Sequence, residues 1–220
     1  SVPYSELHEL DRLTLHRLAR LTEKVRRAYE EFEFHAVYHS IHNFCTVDLS
    51  AFYLDGLKDR LYTCKADSRE RRAGQTVLWS LIDHLTRLLA PILVFTADEA
   101  WQFIPGKKAE NAHLADMPDV RKDWLDEVLE KKWNDILKIK DMVSVGLEKA
   151  RQNKTIGHSL DAAVTISLAQ EKDMDEHVNK LLEPFETAKT VNGMETLLRG
   201  AAGALKEILI VSSFDFVDKP

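Results

Sequence analysis

Residues Asn43–Tyr62 read N-F-C-T-V-D-L-S-A-F-Y-L-D-G-L-K-D-R-L-Y. Rings at Phe44, Phe52, Tyr53 and Tyr62 alternate there with Asp48, Asp55, Lys58, Asp59 and Arg60. An ordinary amphipathic helix segregates an apolar stripe from a charged face and needs no such density of mixed chemistry. Leu54, Leu57 and Leu61 keep helical spacing, which predicts a helix ending near Lys65-Ala66-Asp67. Asp48 or Ser50 is the expected N-cap, because a short side-chain oxygen satisfies an otherwise orphaned helix N–H. Gly56 falls inside that helix, where a better helix former is expected.

Working toward the N-terminus, Phe34, Tyr38, Ile41 and Cys45 mark a second helix and its packing side. Before it, Leu7, Leu10, Leu13, Leu18, Leu21, Val25 and Phe32 share one broad helical face. Arg17, Arg20, Lys24 and Arg27 form a basic stripe on the flank of that face. Toward the C-terminus, Ser68 is the expected cap of a helix whose core stripe is Leu78, Leu81, Leu85 and Leu88. Pro91 interrupts the chain, and Thr96 or Asp98 caps a short helix through Trp101 and Phe103. Residues 106–120 read as a loop. Asp123 through Arg151 reads as a long helix with Trp124, Val128, Ile136, Ile139, Val143 and Leu147 inside. The pattern then changes: 162–168 and 208–212 are short and β-branched, and read as strands, the second open to continuation through Phe216. Two helical stretches, 172–184 and 192–205, lie between them. The expected fold is mainly α: a helical bundle over 1–155 and a small α+β unit over 156–220.

The chain has 220 residues, 45% of them hydrophobic and 30% charged, which suits a globular protein with ample core. No apolar run reaches the ~18 residues of a membrane span. The opening S-V-P-Y-S-E-L-H lacks the basic start and apolar core of a signal peptide. Cys45 and Cys64 do not make a disulfide framework, so a reducing, cytoplasmic setting is expected. Net charge is −6, which disfavours nucleic-acid binding taken alone. Its distribution is uneven, however: Arg12–Arg27 holds six basic residues and one acid, Glu23. Acid gathers later, in Glu110–Asp135 and Glu171–Glu195. A basic front and an acidic back can orient a polyanion, although each run also serves as a solvated helix face.

No nucleotide-binding or catalytic motif is present: no G-x-G-x-x-G, G-x-x-x-x-G-K-[ST], G-x-S-x-G or H-E-x-x-H. His35, His39, His42 and Cys45 are all zinc-ligand types. On a helix, though, Cys45 turns away from the histidines, and no metal site is assigned. Rings beside cations are more suggestive, since unpaired RNA bases are held by stacking on aromatic or guanidinium planes and by hydrogen bonds to their edges. Asn43 offers both a donor and an acceptor. Lys58 and Arg60 supply cations, and Tyr53 and Tyr62 supply ring faces. An aromatic core under surface basic residues fits the same letters.

The chain resembles the C-terminal, anticodon-binding region of bacterial-type isoleucyl-tRNA synthetases over nearly its full length. Asp48-Leu49-Ser50-Ala51-Phe52-Tyr53-Leu54-Asp55 and Lys58-Asp59-Arg60-Leu61-Tyr62 carry the most specific likeness. Glu9-Leu10-Asp11-Arg12 resembles the entry into the helices. Leu89–Leu93 with Phe95–Glu99 and Trp101 is shared across several class I synthetases. Glu148-Lys149-Ala150-Arg151 and Ile156–Ala162 resemble the exit from the bundle. The H-I-G-H and K-M-S-K-S motifs are absent, as are the editing domain and any C-x-x-C zinc unit. The resemblance implies a monomeric piece that holds the anticodon stem-loop of isoleucine tRNA and catalyses nothing itself. ATP and Mg2+, and Zn2+ where the parent carries the family's cysteine-rich zinc unit, would belong to the parent ligase. The candidate tRNA-binding residues are Asn43, Lys58, Arg60, Tyr53, Tyr62, Arg17, Arg20, Lys24, Arg27, Arg151 and Lys154. The alternative is a helical protein-interaction module without RNA binding.

Overall fold

The computed structural model describes residues 1–106, 109–168, 184–188 and 191–218. The chain divides into two compact units, Ser1–Asp126 and Glu127–Pro220. Packing thus places the division at 126/127, whereas the sequence reading puts it at 155/156. The long helix between these points belongs with the second unit because its partners lie there.

The first unit is built around α1 (Glu9–Glu30), which packs against α2 (Phe34–Asn43) and α4 (Arg69–Leu89). Leu13, Leu18 and Val25 on α1 are completely buried. The apolar stripe read from the sequence is therefore the core of the unit, offsetting the entropy of ordering three helices. The turn from α1 to α2 places Phe32 at φ +59, while the Glu33 N–H reaches back to the Ala28 carbonyl at 2.8 Å. Hydrogen bonding of that pattern closes a helix C-terminus around a left-handed residue.

Beyond α2 the chain does not break. Phe44–Tyr53 continues as a π-helix and runs directly into α3 (Leu54–Thr63). The Leu54 N–H reaches the Leu49 carbonyl, five residues back, as a π-helix requires. Asp48 and Ser50 therefore cap nothing. The packing side of α2 also differs from expectation: Val37 and Ile41 are buried, whereas Phe34 and Tyr38 are 53% and 57% exposed. Turning by ~100° per residue, Val37, Ile41 and Phe44 line up on one face, and the rings of Phe34 and Tyr38 fall on the flank beside it.

Ser68 caps α4 as expected, its hydroxyl accepting from the Arg71 N–H at 3.2 Å. Removing it with Ser68→Ala should cost about 1 kcal/mol, read as a drop of a few degrees in melting temperature. An unchanged melting curve would show the cap to be dispensable. α5 (Val94–Phe103) has Leu93 at its N-cap position, three residues before Thr96 and five before Asp98, the expected caps. Asp98 instead accepts from the Ala112 N–H at 3.0 Å, pinning the following loop where Trp101 and Ile104 are buried. Trp124, expected inside the long helix, sits in a short 3-10 turn that still belongs to this unit.

In the second unit, α6 (Glu127–Gln152) buries Leu129, Trp133, Ile136 and Ile139 and packs against α7 (Val191–Leu209). Val128, expected inside, is 77% exposed. β1 (Ala163–Leu168) falls where predicted and pairs in parallel with β2 (Ser213–Asp218). The sequence pattern starts the second strand at 208, and only its continuation through Phe216 overlaps the observed strand. The α7 stripe persists through Leu205 and Leu209, and Ile210 then turns at φ +53. The expected helix at 172–184 lies outside the described residues apart from its last position.

Candidate nucleic-acid interface

The sequence candidates separate into three groups once placed. Tyr53 and Arg60 are buried and converge on Asp11. The Tyr53 hydroxyl donates to Asp11 Oδ1 at 2.8 Å. The Arg60 guanidinium forks onto both carboxylate oxygens at 2.9 and 2.7 Å. Burial, and then the Asp11 charge, push the Tyr53 phenol well above its ordinary range. A fully covered ring offers no face to a base, and a guanidinium occupied bidentately by a buried carboxylate is not presented to phosphate. This corrects the reading of Tyr53 and Arg60 as RNA contacts: together with Asp11 they tie α1 to the π-helix and α3.

Arg17 is likewise committed. Its Nη1 meets Asp48 Oδ1 at 2.7 Å, and its guanidinium lies 5.9 Å from the centre of the Phe52 ring. Arg17 thereby anchors the π-helix to α1. Arg20, Lys24 and Arg27 remain on the exposed surface of α1. Asn43 is exposed at the end of α2. Tyr62 is 82% exposed at the end of α3. Lys58 is exposed one helical turn before Tyr62 and pairs with Asp55 at 2.7 Å. That hydrogen bond raises the Lys58 pKa. In the second unit, Arg151 pairs with Glu148 and donates to the Ser159 hydroxyl at 3.2 Å. Lys154 follows the end of α6 in the left-handed region at φ +57.

The first unit thus presents the cations Arg20, Lys24, Arg27 and Lys58 on exposed helix surface, together with the donor-acceptor amide of Asn43. Phosphate contacts of that kind set register and orientation, and an amide can address a base edge. Sequence reasoning missed Asp11 as the organiser of the signature segment. An acid one position from Leu10 on an otherwise apolar helix face was the available signal, because a buried carboxylate demands a cationic partner.

A helical bundle presenting cations along one helix has the electrostatic footprint expected of a nucleic-acid-binding class of domain. Residues 11–166 match the family described as "Anticodon-binding domain of tRNA ligase", and the chain belongs to it. The chain is 44% identical over 218 residues to "Isoleucine--tRNA ligase" of Geobacter sulfurreducens, covering 99% of this chain and 21% of that protein. It is 47% identical over 196 residues to the ligase of the same name from Moorella thermoacetica, covering 88% and 21%. With that of Carboxydothermus hydrogenoformans it shares 53% over 171 residues, covering 77% and 18%. The chain therefore spans about a fifth of the length of these relatives. Among the described residues, no helix is long and apolar enough to cross a membrane.

Proposed function

We infer that this chain grips the anticodon stem-loop of isoleucine tRNA so that a ligase catalytic region outside these residues can charge the acceptor end. The observation that carries this reading is the family match over 11–166, joined to relatives named as isoleucine ligases at 44–53% identity. The exposed cations of α1 fit the role, since neutralising phosphates dominates nucleic-acid affinity. ATP and Mg2+ belong, in this reading, to the region outside the chain. The chain acts as a monomer in the cytoplasm and performs no isoleucine-dependent pyrophosphate exchange of its own.

The test is tRNA binding by anisotropy across a salt series. Wild-type affinity should fall steeply with salt. The Lys24→Ala/Arg27→Ala double variant should show a log–log slope shallower by about two, one for each phosphate left without its cation. An unchanged slope in the folded double variant would make this stripe a solvated face. A wild-type chain with no salt-dependent tRNA affinity would favour a protein-interaction module instead.

A further inference from the structure

We propose that the exposed ring face at the start and along the length of α2 is a stacking platform for unpaired bases of loop RNA. This rests on the anticodon-binding reading and adds to it the side chains that engage bases. Phe32 is 78% exposed, Phe34 53% and Tyr38 57%. Their rings form a chain over the surface. Phe32 and Phe34 meet edge-on at 6.3 Å, and Tyr38 lies one helical turn beyond Phe34. The Tyr38 ring is 5.1 Å from that of His39 and 5.6 Å from that of His42, the latter tilted by 35°.

These rings are not the packing residues of α2: the helix packs through Val37 and Ile41 on the adjacent face and leaves Phe34 and Tyr38 more than half exposed. Exposing three large rings side by side, Phe32 in the preceding turn and Phe34 and Tyr38 on α2, costs solvation that a functional contact recovers. Phe32 adds a second, independent observation. It is a bulky residue held at φ +59, a turn position where glycine sits without strain. Backbone strain kept at an exposed aromatic marks a side chain retained for what it touches.

Charge selects the occupant. The chain holds 36 acids among 220 residues, yet Phe34–Tyr53 contains one, Asp48, and Arg17 pairs with it. Exposed Glu30, Glu31 and Glu33 flank Phe32 at the start of the helix, so it is the stretch from Phe34 to His42, which carries no carboxylate, that receives a polyanion without repulsion. The imidazoles of His39 and His42 add hydrogen-bonding nitrogens beside the stacking plane, which matches a base with its polar edge.

The experiment uses the 220-residue chain and two RNA hairpins: one with an unpaired loop bearing the isoleucine anticodon, the other with the same stem and backbone but abasic loop nucleotides. Wild type should prefer the base-bearing hairpin. Phe32→Gly and Tyr38→Leu should each weaken that complex roughly tenfold, with binding to the abasic hairpin unchanged. Tyr38→Phe, which keeps the ring, should retain wild-type affinity. Phe32→Gly should melt at or above the wild-type temperature, so its loss of affinity is not a loss of fold. Equal wild-type binding to both hairpins would overturn the platform while leaving backbone-driven tRNA binding intact. Wild-type affinity in the folded Phe32→Gly and Tyr38→Leu chains would also overturn it and assign the face to a protein contact. Binding to neither hairpin would remove the anticodon reading and the platform with it.

Discussion

Arg60→Met should destabilise the first unit by about 3–5 kcal/mol, because it strands the Asp11 carboxylate, which is completely buried. The melting temperature should fall by about 10 °C. Sequence reasoning expects the opposite, an RNA-binding defect in a fully folded domain, so thermal melting decides between the two. A buried ion pair is costly to break and far cheaper to replace whole. The double variant Asp11→Leu/Arg60→Met should therefore recover much of the loss. Tyr53→Phe, which removes one hydrogen bond to Asp11 and leaves the guanidinium in place, should cost only about 1 kcal/mol. If Arg60→Met melts like wild type and loses RNA affinity, the buried reading fails.

Asp135 carries the corresponding weight in the second unit. It is completely buried on α6 and accepts from the Glu186 N–H at 2.8 Å, the Thr187 N–H at 2.6 Å and the Thr187 hydroxyl at 2.6 Å. Lys138 donates to it at 3.1 Å. Burial pushes this carboxyl upward, but the hydrogen bonds from Thr187, Glu186 and Lys138 outweigh it and hold the group below its ordinary range. The sign of the linkage follows. A depressed carboxyl contributes fully above its unfolded value near ~3.9 and loses that contribution as pH falls through the folded value. Acidification below about pH 4 should loosen the 186–187 segment first. Asp135→Ala should cost about 3 kcal/mol by orphaning these donors. Amide exchange at Glu186 and Thr187 should accelerate accordingly. Asp135→Asn should flatten the acid limb, and an acid limb of unchanged steepness would remove Asp135 as its cause.

The legible parts of the sequence are those governed by simple periodicity. The α1 stripe of Leu13, Leu18 and Val25, the Ser68 cap and the 163–168 strand all follow from spacing and capping rules that need no tertiary information. Phe34 and Tyr38 mislead because hydrophobicity does not by itself mean burial, and the rule runs one way only: apolar atoms make up most of any folded surface. Arg60 and Tyr53 mislead for the complementary reason. A charge and a phenol enter a core when a distant partner satisfies them, and Asp11 lies 49 residues from Arg60. No local pattern contains that pairing. The second strand is started too early because Leu209-Ile210-Val211 suits a helix end and a strand start equally well, and the positive φ at Ile210 decides between them.

The π-helix also has a mechanical meaning. Phe44–Tyr53 acts as a gear coupling α2 to α3, and the number of residues in it fixes the phase between the two helices. Deleting one residue would turn everything beyond it by roughly a quarter turn. Arg60 would swing away from Asp11, and Lys58 and Tyr62 would rotate off the surface they now occupy. Substitutions in this segment therefore exchange side chains, whereas a change of length shifts the timing of the whole downstream helix. Ten residues, counted rather than chosen, keep the buried lock and the exposed surface in step.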